Sequence, residues 1–244
     1  MRASRFFVEG IYEEGATVAL DCGDAHKILH VLRLGTGDAI RIVDSSGSEF
    51  EATVAEDPDG LVARVTARVA TNSAGGSVAL TIAQAIPKAQ KMEYVVEKAS
   101  ELGVASIVPF ASERTVVREF SENKVERWRR VARSSAEQCG RSHIMEVAEP
   151  VSFAELLCRF GAYDVVLFPW EGSDPEPLRD VMPALLARAK RVMAVIGPEG
   201  GFSHGEAAGA RDAGARVVSL GTRILRTETA GLYVAAVVDF LTAT

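Results

Sequence analysis

A glycine-rich turn within VIGPEGGFSHGE, residues 195–206, contains residue types that could bring a ligand close to the backbone. The turn follows an apolar run, so it lies at the carboxyl end of a predicted strand, and its glycines permit close approach. Glu199 would repel a phosphate, and the turn contains no lysine. We therefore expect a ligand that is flat or polar, and neutral or cationic at its reactive end. The alternative is a tight structural turn in which Ser203 and Glu206 form a capping box for the next helix.

Several other kinds of site lack their characteristic sequence. The glycines at 197, 200 and 201 do not match G-x-G-x-x-G, the fingerprint of dinucleotide-binding domains, and the G-K-[ST] of a phosphate-binding loop does not occur in the chain. His26 and His30 are four residues apart with Cys22 nearby, but position 27 is lysine and a fourth ligand is not evident, so we predict no metal site.

A second loop, LGTRILRTETA at residues 220–230, also follows a predicted strand. Its apolar Ile224 and Leu225 stand among charged side chains, and Thr227 could cap the final helix. The charged residues crowded into this turn include Arg223, Arg226 and Glu228. Ligands of parallel sheets bind beyond the carboxyl ends of the strands, so the two loops could form the walls of one pocket. The alternative is that the arginines are merely solvated.

The chain has 244 residues, of which 48% are hydrophobic and 25% are charged, an ordinary globular composition. Its net charge of −6 argues against bulk nonspecific binding of nucleic acid, although a local basic patch is compatible with it. The apolar runs all fall short of the roughly 20 residues of a membrane helix, and the N-terminus does not resemble a signal peptide. Three widely spaced cysteines favour reduced thiols in a cytoplasm.

The pattern of predicted elements divides the chain into two domains, which we place at residues 1–72 and 73–244. The first domain has short strand-like segments and one helix for which Asp24 is the predicted N-cap, which together favour a small barrel. TNSAGGS, residues 71–77, is small and polar and is typical of a linker. The strands of the first domain are predicted at residues 5–8, 17–20, 39–43, 49–55 and 61–69.

In the second domain strands and helices alternate, which predicts an α/β fold with a parallel sheet covered on both faces. Helices are predicted at residues 88–102, with Gly103 ending the helix, and at 121–139. The final segment, 229–241, is apolar nearly all round and suits a core helix or a dimer contact. The strands are predicted at residues 78–85, 106–110, 164–168, 191–196 and 216–220.

Basic residues are dense between positions 114 and 141. On the helix predicted at 121–139, Arg129 and Arg133 lie one turn apart on a shared face. Contact with nucleic-acid phosphates is one interpretation, and a solvated helix with glutamate partners is the other.

Seven segments, taken in order, resemble one enzyme family. The glycine-rich turn and the LGTRILRTETA loop are similar to signature loops of the SPOUT methyltransferases, and most closely to those of the enzymes that methylate N3 of a uridine in 16S ribosomal RNA. The other similar segments are RFFVEG at 5–10, HKILHVLRLGTGD at 26–38, KAQKMEYVVEKASELGV at 88–104, ERTVV at 113–117 and AEQCGR at 136–141. One departure is Met145, where relatives commonly carry a proline.

The resemblance implies an N-terminal PUA-like RNA-binding β-barrel domain and a C-terminal methyltransferase domain with a deep trefoil knot. It also implies a homodimer through the knotted domain, S-adenosylmethionine as cofactor, and 16S ribosomal RNA of the small ribosomal subunit as substrate. The pattern of elements alone would predict no knot, because knots are so rare. The alternative function is a catalytically inactive RNA-binding or ribosome-assembly module of the same fold. A nucleotide-dependent oxidoreductase is a poorer alternative, because the dinucleotide fingerprint is missing.

The resemblance also implies roles for individual residues. Uridine N3 must lose a proton, so Arg226 and Arg223 are candidates to stabilise the developing anion. Glu199 and Glu228 are candidates to accept that proton or to position the reactants. The residues expected to bind the cofactor are Leu167, Phe168, Ile196, Gly197, Glu199, Gly200, Gly201, Leu220, Gly221, Ile224, Leu225 and Arg226. The arginines expected to contact RNA are Arg5, Arg33, Arg114, Arg133 and Arg141.

Overall fold

The computed structural model describes residues 3–69, 78–89, 91–116, 122–172 and 175–242. The chain divides into two compact units. Unit 1 combines Met1–Ala74 with Ala136–Ile144, and unit 2 combines Gly75–Ser135 with Met145–Thr244. The predicted linker at 71–77 lies outside the described residues.

Unit 1 is built on a five-stranded sheet with the order β1-β3-β4-β5-β2. β1 pairs with β3 in parallel, and the remaining neighbours are antiparallel. Alternate side chains form the core, among them the fully buried Phe6 and Ile42. Every strand predicted for this part of the chain is confirmed in position. The bounds are Arg5–Phe7 (β1), Thr17–Ala19 (β2), Ala39–Val43 (β3), Glu49–Asp57 (β4) and Gly60–Arg68 (β5).

The helix of unit 1 begins earlier than predicted. α1 spans Cys22–His26 and continues into a π-helical turn, Lys27–Val31. The prediction that Asp24 is the N-cap is wrong, because the Asp21 carboxylate accepts the Asp24 N–H at 2.7 Å. Asp24 itself is buried in the first turn.

The segment Ala136–Ile144 packs with unit 1 although it is remote in sequence. Ala136 is buried in a small cluster with Phe7 and Val43. Glu137 pairs with Lys27, whose Nζ lies 2.5 Å from the glutamate Oε2.

Unit 2 contains a sheet with the order β11-β13-β10-β12-β6-β7-β8, with β9 also pairing with β7. All of these pairs are parallel, as predicted. The bounds are Ala79–Ala85 (β6), Ser106–Ala111 (β7), Glu146–Val147 (β8), Val151–Ser152 (β9), Val165–Pro169 (β10), Glu176–Pro177 (β11), Arg191–Ile196 (β12) and Arg216–Ser219 (β13).

Helices cover both faces of this sheet, as the alternating pattern predicts. Along β12, Val192 and Ala194 pack in the core that contains side chains of α2, α3, α5 and α7, whereas Met193 and Val195 pack with side chains of α4 and α6. The helices are Lys91–Glu101 (α2), Glu122–Cys139 (α3), Phe153–Cys158 (α4), Leu178–Leu186 (α5), His204–Asp212 (α6) and Thr227–Thr242 (α7). In the described part of the chain, no helix has the length and apolar character to cross a membrane.

A buried carboxylate organises the turn after β3 in unit 1. Asp44 is 4% exposed and accepts the backbone N–H groups of Tyr12, Ser46 and Ser48 at 3.2, 2.9 and 3.0 Å. Burial acts to raise the pKa of Asp44. The hydrogen bonds from the Ser46 hydroxyl and from the three backbone N–H groups outweigh burial, so the pKa lies below its usual value.

We expect Asp44→Asn to lower the free energy of unfolding by about 1–3 kcal/mol at neutral pH, because an amide offers one acceptor oxygen where the carboxylate offers two. A lowered pKa means that the carboxylate contributes fully above its usual pKa and loses that contribution as the pH falls through the folded-state value. Urea unfolding of wild type and variant across pH measures the difference. Asp59→Asn, at an exposed turn position, is the control. A difference that does not shrink below about pH 4 would contradict this account.

Candidate functional site

Unit 2 contains a cavity of about 840 Å³ at the carboxyl ends of β10, β12 and β13. β10 pairs with both of the other strands, so the parallel sheet brings their three ends together. The volume lies within the range of small-molecule sites. The lining residues are 169–172, 196–202, 218–221 and 223–227, with Lys91, Arg114, His204 and Ala230.

The glycine-rich turn forms one wall, and its glycines are needed for its shape. Gly201 has a φ of +65°, which a residue with a side chain adopts only at a cost. A Cβ atom at Gly197 would lie 2.9 Å from the ring of Phe202. The predicted capping box is confirmed, since Glu206 accepts the Ser203 N–H at 2.9 Å and donates its own N–H to the Ser203 hydroxyl at 3.2 Å. The end of the turn is therefore joined to the first turn of α6 by two hydrogen bonds.

The second loop forms the facing wall. Leu220, Gly221, Arg223, Ile224, Leu225 and Arg226 all line the cavity, together with Ile196 and Gly197, Glu199, Gly200 and Gly201 from the first wall. The cap of α7 differs from the prediction. Thr227 is the first residue of that helix, and the Arg226 carbonyl accepts the N–H groups of Thr229 and Ala230 at 2.8 and 2.9 Å. The Thr227 hydroxyl instead donates to the Gly197 carbonyl at 2.5 Å.

The loop after β10 forms a third wall, and its lining residues lie further along the chain than the two residues predicted from sequence. Leu167 and Phe168 are fully buried in the two cores and do not line the cavity. The lining begins at Pro169, where the strand ends, and continues through Trp170. The sequence analysis did not identify residues 169–172 as part of the cavity lining. The signal was present in the abrupt change from the apolar run to Trp-Glu-Gly at 170–172.

Lys91 is a site residue that the sequence analysis did not identify. Its Nζ lies 3.4 Å from Oε1 of Glu199 and 3.3 Å from Oε2 of Glu228, so one ammonium bridges two carboxylates. Glu199 Oε1 also accepts the Lys88 N–H at 3.1 Å. Burial acts to raise the pKa of Glu199. The backbone N–H groups of Glu199 and Lys88 and the charge of Lys91 together lower that pKa below its usual value.

The two arginines of the second loop are exposed at the cavity. The Arg226 side chain is 83% exposed, and its Nη1 lies 4.0 Å from Oε1 of Glu228, whose side chain is only 13% exposed. Arg223 is also exposed. Their guanidinium groups are therefore accessible to a ligand that enters the cavity.

Arg114, predicted to contact RNA, lies at the cavity wall. Its Nη1 donates to the Gly200 carbonyl at 2.8 Å. The neighbouring Glu113 N–H donates to Oε1 of Glu206 at 2.8 Å, which holds this segment next to the start of α6. The structure therefore joins Arg114 to the glycine-rich turn, a connection that the sequence did not reveal.

The other arginines predicted to contact RNA have different surroundings. Arg5 is 6% exposed and pairs with Glu49 at 2.5 Å, so little of its side chain is accessible to RNA. Arg33 is exposed, with a left-handed φ of +56°. Arg133 and Arg141 are half-buried. In the described residues no cluster of three or more His, Cys, Asp or Glu side chains could hold a metal ion.

Comparison with known families gives two matches that together cover most of the chain. A family model described as an RNA methyltransferase domain matches residues 75–239. A second model, described as an RNA methyltransferase PUA domain, matches residues 23–66. The cavity lies wholly within the first of these matches.

The chain is also similar over its length to curated relatives. It is 29% identical to ribosomal RNA small subunit methyltransferase E of Bacillus subtilis, covering 98% of this chain and 96% of that protein. It is 30% identical to the protein of the same name from Mycobacterium bovis, covering 100% of this chain and 94% of that protein. Among solved structures, ribosomal RNA small subunit methyltransferase E from Neisseria gonorrhoeae, bound to S-adenosyl methionine, superposes with a TM-score of 0.88 at 28% identity, over 99% of this chain and 98% of that one.

We expect Lys91→Met to raise the pKa of Glu199 toward its usual value, because the variant removes the cation that stabilises the carboxylate. Titration of the glutamate side-chain carboxyls by ¹³C NMR measures this pKa. Lys98→Met is a matched control on the same helix, since Lys98 also bridges two glutamates, Glu97 at 2.7 Å and Glu101 at 2.8 Å. An unchanged pKa of Glu199 in Lys91→Met would refute the role of Lys91.

Proposed function

Because the chain belongs to the RNA methyltransferase family, we propose that it transfers the methyl group of S-adenosylmethionine to N3 of a uridine in 16S ribosomal RNA of the small ribosomal subunit. The observation that carries the proposal is the meeting of two family-like loops, 196–201 and 220–226, around one cavity. The relatives named above support the substrate, and the Neisseria structure supports the cofactor. The intact loops disfavour an inactive RNA-binding module.

The residues of the cavity fit this cofactor. Ile196, Leu225 and Ala230 supply apolar contacts for a flat base, and the glycines allow close approach of the backbone. Glu199, whose pKa lies below its usual value, is ionised at neutral pH, so its charge suits a cationic group. Bound there, S-adenosylmethionine supplies an electrophilic methyl group on a positively charged sulfur.

The two carboxylates are better suited to positioning than to accepting a proton. A glutamate with a lowered pKa is a weak base, and Glu199 already accepts hydrogen bonds from Lys88 and Lys91. Glu228 is held by the same lysine. We therefore assign Glu199 and Glu228 to the fixed acidic wall of the site.

Arg226 and Arg223 stabilise the uridine anion in this proposal. Uridine N3 becomes a good nucleophile when it loses its proton to solvent water, and a guanidinium close to the base favours the resulting anion. The exposure of both side chains leaves them free to approach an RNA base. Leu220, Gly221 and Ile224 would then close over the cofactor.

The remaining family features are also part of the proposal. We infer a closed PUA-like barrel for residues 1–72, a deep trefoil knot in residues 73–244, a homodimer formed through the second domain, and action in the cytoplasm. Exposed apolar side chains on α7, Tyr233 at 41% and Phe240 at 83%, support a dimer contact on that helix. Arg33, Arg114, Arg133 and Arg141 remain the candidates for RNA contact.

Labelled S-adenosylmethionine and small ribosomal subunits from a strain that lacks the enzyme test the proposed reaction. We expect label in 16S ribosomal RNA, recovered as N3-methyluridine after nuclease digestion. Parallel incubations with naked 16S ribosomal RNA show whether the assembled subunit is required. Absence of label would favour the inactive RNA-binding module. Label on another nucleoside would keep the enzyme class and exclude the uridine substrate.

We expect Arg226→Ala to lower kcat about 100- to 1,000-fold, the usual cost of losing a group that stabilises developing negative charge. Single-turnover methylation of small subunits measures the effect, and calorimetry checks that the variant still binds S-adenosylmethionine. Arg179→Ala is a matched control, because the Arg179 side chain is 85% exposed and lies outside the cavity lining. A full methylation rate in folded Arg226→Ala would remove Arg226 from the mechanism.

A further inference from the structure

A buried polar network lies directly beneath the cavity. Gln84, on β6, is 0% exposed, and Thr227, at the start of α7, is 6% exposed. Gln84 Nε2 lies 3.0 Å from the Ala85 carbonyl and 2.9 Å from the Thr227 hydroxyl. The Thr227 hydroxyl in turn lies 2.5 Å from the Gly197 carbonyl. We call this the Gln84–Thr227–Gly197 network.

The chemistry of the partners fixes the direction of every hydrogen bond in the network. A carbonyl can only accept, so the Gln84 amide nitrogen must face Ala85 and must donate to it. The same nitrogen then donates to the Thr227 hydroxyl. That hydroxyl has one proton, and it must donate this proton to the Gly197 carbonyl. Each hydrogen bond of the network therefore has only one possible donor and one possible acceptor.

The network joins three parts of the site that are far apart in sequence. Gly197 begins the glycine-rich turn, Thr227 ends the second loop, and both line the cavity. Gln84 lies on β6, in register with Ile196 on β12. One threonine hydroxyl thus links the two walls of the cavity to each other, and Gln84 anchors that hydroxyl to the centre of the sheet.

Stability alone does not explain a glutamine at this position. Gln84 Oε1 is buried and has no hydrogen-bond partner among the described residues. A buried acceptor without a partner is destabilising, and an apolar side chain of similar size would avoid that cost. α7 packs closely here, because a Cβ at Gly231 would lie 3.5 Å from Gln84 Oε1. The amide is better explained by the position that it imposes on Thr227.

We propose that Gln84 and Thr227 are positioning residues that set the separation of the two cofactor-binding loops. The inference rests on the proposed function and goes beyond it, since neither residue is expected to act on the methyl group. Methyl transfer needs accurate alignment, and a displacement of about 1 Å can cost about 100-fold in rate. Loss of the network should therefore weaken cofactor binding and slow the reaction without unfolding the protein.

Calorimetry of S-adenosylmethionine binding to the full-length protein tests the network by measuring the Kd of wild type and variants. The variants are Thr227→Val, Thr227→Ser, Gln84→Met and the double variant Thr227→Val/Gln84→Met. Thr66→Val is the matched control, because Thr66 is an exposed residue of β5 whose hydroxyl also donates to a backbone carbonyl, that of Glu51 at 3.0 Å. We expect Thr227→Val to raise the Kd about tenfold or more and to lower kcat, because it loses the hydroxyl at nearly constant volume. Gln84→Met should weaken binding less. Thr227→Ser keeps the hydroxyl and should bind with nearly the wild-type Kd. A purely steric role of Thr227 would instead predict weaker binding by this smaller side chain.

The double variant distinguishes a network from two independent contacts. If the residues act together, it should bind about as weakly as Thr227→Val alone. Additive losses, or a Kd of Thr227→Val within twofold of wild type, would overturn the inference while leaving the proposed function intact. If Thr227→Val does not fold, an unchanged Kd in Gln84→Met would overturn it equally. A wild-type protein that does not bind S-adenosylmethionine would overturn both the proposed function and this inference.

Discussion

Parallel pairing of β12 with β10, and of β10 with β13, is the constraint on which the rest of the candidate site depends. Parallel strands place their carboxyl ends at the same edge, so three loops that are distant in sequence meet around one cavity. The pairing is stabilised by apolar side chains on both faces of the sheet. Because the core fixes the strands, the loops can carry glycines and paired charges that would not fold by themselves.

The sequence predicts the parts of this arrangement that depend on local patterns. The strands of three or more residues, the Ser203–Glu206 capping box and the two cavity loops all follow from periodicity and turn residues, which are local signals. The two-residue strands β8, β9 and β11 were not predicted, because so short a segment has no periodicity. The residues after β10 that line the cavity do not follow from such local signals. Trp170 donates its N–H to the Val218 carbonyl on β13 at 3.1 Å, so pairing with β13 continues beyond Phe168. The lining accordingly begins at Pro169 and not at Leu167 or Phe168.

Charge partners were the least predictable feature, because they come from remote segments. Arg5 resembles a surface residue in sequence, yet Glu49 on β4 pairs with both Arg5 and Arg41 and makes burial of Arg5 possible. Lys91 is similarly unremarkable within a helix until the fold brings Glu199 and Glu228 to its ammonium. Spacing along the chain contains no information about such pairs, and hydrophobic patterning does not reveal them.

The distribution of charge at the cavity also suits the two ligands of the proposed function, a cationic cofactor and anionic RNA. A cationic methyl donor favours carboxylates, whereas the phosphates of RNA are repelled by them. The Glu228 side chain is 13% exposed and is neutralised in part by Lys91, whereas the Arg226 side chain is 83% exposed. In this pair the negative charge lies closer to the protein interior and the positive charge faces outward. In the proposed function, this separation would let an acidic protein, with a net charge of −6, present a positive charge to RNA beside the carboxylates that would face the cofactor.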